Sequence, residues 1–198
     1  AKIIYRYVQE NTRYVSVQLG IGGLRPINAI EVDRDKYGDC KGLTNYTKAL
    51  LKAVGVDSYY AVVESGRAKI DMQEDFADLI QGNHVILAIP YKNSYYWVDC
   101  TSQINPFGYL GDFTDDRTVL VVTPDGGKLV RTVSYLNKDN AKHIKSTIKV
   151  FEDLSMEAQV MVQTKGIKYD LRVALERQSS EHIKDYYKTL WDNINGIK

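Results

Sequence analysis

The order of periodicities along the chain predicts an α+β fold: helical segments first, then a run of antiparallel strands. Three observations carry this. Leu43, Tyr46, Leu50 and Val54, with Thr47 and Leu51 alongside, recur at helical spacing and make one apolar stripe. Residues 84–89 and 95–100 flank the turn chemistry Lys92-Asn93-Ser94 and read as a hairpin. Residues 59–63, 119–122 and 129–135 read as further strands, the last two around Pro124-Asp125-Gly126-Gly127.

Taken in order, residues 1–10 carry Ile3, Ile4, Tyr7 and Val8, the pattern of a short amphipathic helix. Residues 14–18 are expected to be extended. Gly20-Ile21-Gly22-Gly23 is a sharp loop, because a phosphate loop needs a following Lys-Ser/Thr pair between a strand and a long helix. Residues 33–38 open like a calcium loop, but Tyr37 holds the fifth position and Thr44 the twelfth, where bidentate coordination needs Glu. The long helix starts at Cys40, with Asp39 as N-cap and Gly55 as its left-handed close. Residues 64–82 are polar and long enough to border a site, with a short helix expected over 74–80. The strand from His84 is expected to end at Pro90. A loop rich in Gly, Pro and Asp follows over 102–116.

From about Ser146 the character changes. Strands are expected at 148–151 and 157–162, and helices at 169–176 and 181–194, the second capped by Ser179 or Ser180. The organisation expected is a core over 1–145 and an appended β/α unit over 146–198, part of a further domain. His143 and His182 read as solvated side chains.

Composition narrows the function classes. The chain has 198 residues, with 26 basic and 25 acidic side chains and a net charge of +1. No basic run is present, which argues against a nucleic-acid partner. No apolar run approaches the ~20 residues of a spanning helix, so no membrane insertion is expected. Cys40 and Cys100 do not form a disulfide framework. The three His are far apart, without Cys/His ligand spacing, so no metal and no cofactor are expected. The 15 Tyr are scattered and suit half-buried strand positions. The chain lacks an initiator Met and opens on a helical pattern, so it reads as a piece of a longer protein.

Cys40 falls in the first turn of its helix, where the partial positive charge favours a thiolate. A thiolate nucleophile needs a base and a group to orient that base. His84 opens a buried strand, and Asp99 lies on the strand that returns from it. A turn near Asn93 sets His84 level with about position 102, within a few residues of Asp99. Asp99 could then hold the tautomer that points the other ring nitrogen at sulfur. The plainer reading is an inert buried cysteine, with a strand-end His and Asp each satisfied separately.

At this point the residues resemble a family. Arg25-Pro26, Ala29, Glu31-Val32, Tyr37-Gly38-Asp39-Cys40-Lys41, Ala49-Leu50-Leu51 and Val54-Gly55-Val56 are similar to the cysteine segment of the transglutaminase-like superfamily. Asn83-His84-Val85 and Trp97-Val98-Asp99-Cys100-Thr101 resemble its histidine and aspartate segments. The resemblance covers about residues 1–125. With the upstream stretch from Tyr14 to Gly23 and the appended unit, it extends to the transglutaminase-like part of large secreted or envelope proteins of Bacteroides-type bacteria. There a β-sandwich domain precedes this region.

The resemblance implies a papain-like fold with Cys40 as nucleophile, His84 as base and Asp99 as orienting group. It implies Gln18 as an oxyanion donor beside the Cys40 backbone N–H. Two residues depart from the pattern. Gly42 stands where an acidic residue is common, and Cys100 where proline is common. Cys100 is also a conceivable disulfide partner for Cys40, but strand alternation sets it on the face opposite Asp99. The implied activity is attack on an amide of a protein or peptide substrate through a thioester, resolved by water (a protease or amidase) or by an amine. The implied location is periplasmic or extracellular. The alternative is a binding or scaffold module that keeps the fold without turnover.

Overall fold

The computed structural model describes residues 1–76, 78–176 and 178–197. They divide into two compact units, Ala1–Ser134 and Tyr135–Lys198. The break expected near residue 145 lies inside a continuous strand, Lys142–Val150. The division therefore falls earlier than the change of periodicity placed it.

The first unit is mixed α+β. Its elements are α1 (Lys2–Asn11), β1 (Arg13–Tyr14), α2 (Ala29–Asp35), β2 (Tyr37–Gly38), α3 (Cys40–Ala53), β3 (Tyr59–Val63), β4 (His84–Tyr91), β5 (Ser94–Val98), β6 (Thr118–Thr123) and β7 (Gly126–Arg131). Strands β3 to β7 form one antiparallel sheet in the order β5-β4-β3-β6-β7. β4 is buried from Val85 to Ile89, because both of its faces are covered. On one face Leu87, Ile89, Val98 and Cys100 join Tyr5, Val8, Val32, Leu43, Tyr46 and Leu51 of the helices. On the other, Ile86, Ala88 and Trp97 pack with Ala61, Val63, Leu110, Val119 and Val121. Each fully buried aliphatic side chain here contributes about 1.5–3 kcal/mol.

Several elements differ from the sequence expectation, each for a physical reason. α1 buries Tyr5 and Val8 but leaves Ile3 and Tyr7 exposed. The Tyr5 hydroxyl donates to the Asp99 carbonyl at 3.2 Å, a tertiary bond that apolar spacing does not encode. The extended segment over 14–18 shrinks to β1, which pairs in parallel with β2. α2 was not expected: Asn28 caps it by accepting the Ile30 N–H, and Lys36 closes it in the left-handed region at φ 56°. Val54, expected on the α3 stripe, is the C-cap residue and is exposed. Gly55 closes the helix at φ 71°.

Pro90 does not end β4, which runs on to Tyr91. β3 reaches only to the level of Ala88, so beyond it one side of β4 has no ladder for proline to break. Gly126 and Gly127 belong to β7, not to the turn before it. A Cβ on Gly127 would stand 2.8 Å from Leu120 Cδ1, so a larger residue there would make the Leu120 side chain shift. Of the helix expected over 74–80, the described residues form only a 3-10 turn at Leu79–Gln81, and Ala77 lies outside the described residues.

The second unit holds a hairpin of β8 (Lys142–Val150) and β9 (Met156–Thr164), both longer than expected, and the helices α4 (Asp170–Val173) and α5 (Ser180–Leu190). The helix expected over 169–176 is thus only one short turn. Ser179 caps α5 by accepting the His182 N–H. His143 and His182 are both exposed. Among the described residues no helix is long and apolar enough to cross a membrane.

Candidate active site

The stretch Gly38-Asp39-Cys40-Lys41-Gly42 turns β2 directly into α3. A Cβ on Gly38 would stand 3.2 Å from the Leu43 nitrogen, and one on Gly42 3.3 Å from Ile27 Cβ. Gly42 is therefore the contact that lets Ile27 close on the helix start. Asp39 Oδ1 accepts the Gly42 N–H at 2.8 Å. Its Oδ2 pairs with the Lys41 ammonium, and both side chains are buried. Cys40 is the first residue of α3 and is 5 % exposed. Its N–H lies in the first turn, where the helix itself supplies no acceptor.

His84 opens β4 opposite Val63. The preceding Asn83 fastens that strand end to the segment after β3. Its Oδ1 accepts from the Ser65 N–H and hydroxyl, and its Nδ2 donates to Glu64 Oε1. The pairs Leu87↔Val98 and Tyr91↔Ser94 set His84 level with Thr101, one residue nearer Asp99 than expected. Asp99 Oδ2 lies 3.0 Å from His84 Nε2. Asp99 Oδ1 accepts the Thr101 N–H at 2.9 Å and the Thr101 hydroxyl at 2.6 Å.

The Cys40 side chain acts on the same ring. With Nε2 on Asp99, Nδ1 is the ring atom left for sulfur. Burial opposes a charge on the ring. The hydrogen bonds to Asp99 and Cys40, and the charges of both, outweigh it and raise His84 to about 10. Burial likewise opposes the Asp99 charge. The His84 hydrogen bond and charge, with the Thr101 donors, hold its carboxyl below the ordinary value. Of the three expected residues, His84 and Asp99 are thus paired, and the Cys40 charge acts on the same ring.

Cys100 is a different kind of thiol. It is 3 % exposed and belongs to the core facing the helices. Burial pushes it up to about 12, with the Asp99 charge adding, against hydrogen bonds with Thr47 and Thr44. Both cysteines are free.

Gln18 is exposed on the irregular segment after β1. The Val15 N–H donates to the Gly38 carbonyl at 3.0 Å, which ties the start of that segment just ahead of Cys40. The Gln18 Oε1 lies beside Gly23, 3.8 Å from where a Cβ would stand there.

Sequence reasoning missed five neighbours: Tyr5, Tyr60, Asn83, Thr101 and Phe113. Burial, then the charges of Cys40 and Asp39, raise the Tyr60 hydroxyl above its ordinary range, which puts it within electrostatic reach of Cys40. The Phe113 ring is 6.4 Å from the His84 ring at 68°, edge to face. Only Thr101 had a local signal, a hydroxyl two residues after a carboxylate.

Among the described residues, no group of three or more His, Cys, Asp and Glu side chains gathers as a metal site would need. A cleft of about 240 Å³ between the β4–β5 and β6–β7 turns is lined by Tyr59, Lys92, Tyr95 and Lys128 among others, and holds neither Cys nor His. Compared with family models, with curated proteins and with solved structures, the chain matches none.

Proposed function

We propose that the chain is a transglutaminase-like thiol enzyme with a papain-like core, acting on amide bonds of proteins or peptides. One observation supports this above the rest: Asp99 Oδ2 lies 3.0 Å from His84 Nε2, and the same ring interacts with the side chain of Cys40, the first residue of α3. In this reading the Cys40 sulfur attacks the carbonyl carbon while His84 carries the proton. The developing oxyanion meets the Cys40 backbone N–H, with the Gln18 amide as second donor. His84 gives its proton to the departing amine as the carbon–nitrogen bond breaks, leaving a thioester on Cys40. Water then yields an acid, or a second amine a new amide, with His84 taking the incoming proton. Asp99 orients the ring and balances its charge throughout.

The scaffold reading has one observation in its favour, the burial of Cys40 at 5 % exposure. A thiol in the first turn of a helix needs access only along one line of attack, so burial of the residue does not prevent acylation. The test is treatment with p-nitrophenyl acetate and mass-spectrometric location of the acetyl group. Acetylation of Cys40 as a hydroxylamine-labile thioester, lost in Cys40→Ala and strongly slowed in His84→Ala, is the expected result. Acetyl groups on lysines alone would favour the scaffold.

A further inference from the structure

Phe113 stands out among the exposed aromatics because the chain around it is fixed. It is 53 % exposed, while Thr114, Asp115 and Arg117 of the same loop are buried and Leu110 is anchored in the core. Arg117 is fully buried, and its guanidinium donates to main-chain carbonyls around the loop: Nε to Asp115, Nη1 to Glu64 and Ala68, Nη2 to Gly66 and Asp112. The Gly66 N–H donates in turn to the Phe113 carbonyl at 2.9 Å. Arg117 thus staples the 64–68 segment to the 112–115 loop, and Phe113 is held beside the His84 ring at 6.4 Å. A singly exposed apolar side chain is ordinary. One on a stapled backbone, edge to face with the imidazole of the site, is a built surface.

We infer that Phe113 is the wall on the leaving-group side of His84, and that it selects substrates with a bulky apolar or aromatic residue just after the scissile bond. The inference rests on the thiol-enzyme reading above. In that chemistry the imidazolium proton goes to the leaving group, so the leaving group must lie against His84. Phe113 is the exposed side chain packed on that ring. In amine transfer the incoming amine takes the same place, and the same selection applies to it.

The test uses two acetate esters of matched leaving-group acidity, one aryl and one alkyl. With either, the Cys40 sulfur–carbon bond forms, the carbon–oxygen bond breaks, and the leaving oxygen takes the His84 proton. Wild type is expected to acetylate faster with the aryl ester. Phe113→Ala should lower the ratio of aryl to alkyl rates roughly tenfold, while Phe113→Leu keeps most of the preference. Phe113 is half exposed, so the thermal midpoint of Phe113→Ala should stay near wild type. An aryl preference that survives Phe113→Ala overturns the inference, as does an equal fall with both esters. In either case Cys40 is still acetylated and the enzyme reading stands. If wild-type Cys40 takes acetyl from neither ester, the enzyme reading fails and this inference with it.

Discussion

Asp99 meets His84 through one oxygen only. Oδ2 lies 3.0 Å from Nε2, and Oδ1 is held by the Thr101 hydroxyl and N–H. The ring is oriented by a carboxylate that is itself oriented by its neighbour two residues on. Thr101→Val removes the hydroxyl bond and leaves the N–H bond. A hydrogen bond to a charged group contributes about 1.5–3 kcal/mol, so Cys40 acetylation should slow roughly tenfold. Thr101→Ser should restore most of the rate. Equal rates in wild type and the valine variant would show that Thr101 does not hold the carboxylate.

The same pair makes stability depend on pH. His84 sits at about 10 in the fold, above its unfolded value of about 6.5. Its charged pairing therefore stabilises fully below about pH 6.5 and is lost as pH rises through about 10. Asp99 is held below its ordinary value, so its contribution is present above about pH 4 and is lost as pH falls through the lowered value. The stability difference between wild type and His84→Gln in urea should be widest between about pH 4 and 6.5, shrink as pH rises from there toward about 10, and be lost above it. A difference that does not change with pH would contradict the pairing.

What the sequence disclosed followed from local rules. Asp39 as cap, Cys40 in the first turn and Gly55 at the close are all set by backbone chemistry within a few residues. The β4–β5 hairpin followed from its turn, and its register carried His84 toward Asp99. The neighbours that complete the cluster come from distant segments. Tyr5 reaches Asp99 across 94 residues of chain, and Arg117 reaches Glu64 across 53. Neither has a local pattern to betray it. α2 was hidden because its charged sequence, Glu31, Asp33, Arg34 and Asp35, offered one buried side chain, Val32. Helical periodicity needs more than that.

The Arg117 staple makes a stability prediction. Arg117→Met leaves several loop carbonyls without their donor in a buried setting, at a cost of about 3–5 kcal/mol. Arg117→Lys, with one ammonium for the planar fork, should recover only part of it. Chemical denaturation measures the loss. A loss under about 1 kcal/mol would mean that water replaces the guanidinium without cost.

Cys40, His84 and Asp99 all lie in the unit Ala1–Ser134, which contains both hydrophobic clusters of the sheet. A chain ending at Ser134 should fold and keep Cys40 as reactive as in the full chain. Circular dichroism with iodoacetamide labelling checks it. A folded but unreactive product would show that residues after 134 supply part of the site.

In the proposed enzyme, His84 is what makes Cys40 a nucleophile. Exposure does not separate the two cysteines, at 5 % for Cys40 and 3 % for Cys100. Chemistry does: the Cys40 side chain acts on a ring raised to about 10, while burial, with the Asp99 charge adding, pushes Cys100 up to about 12. The most direct measurement is mass-spectrometric iodoacetamide labelling of both thiols at about pH 6, in wild type and His84→Ala. The account predicts rapid labelling of Cys40 in wild type, a fall of at least about tenfold in His84→Ala, and slow labelling of Cys100 in both. Equal labelling of Cys40 before and after removal of the imidazole would contradict it.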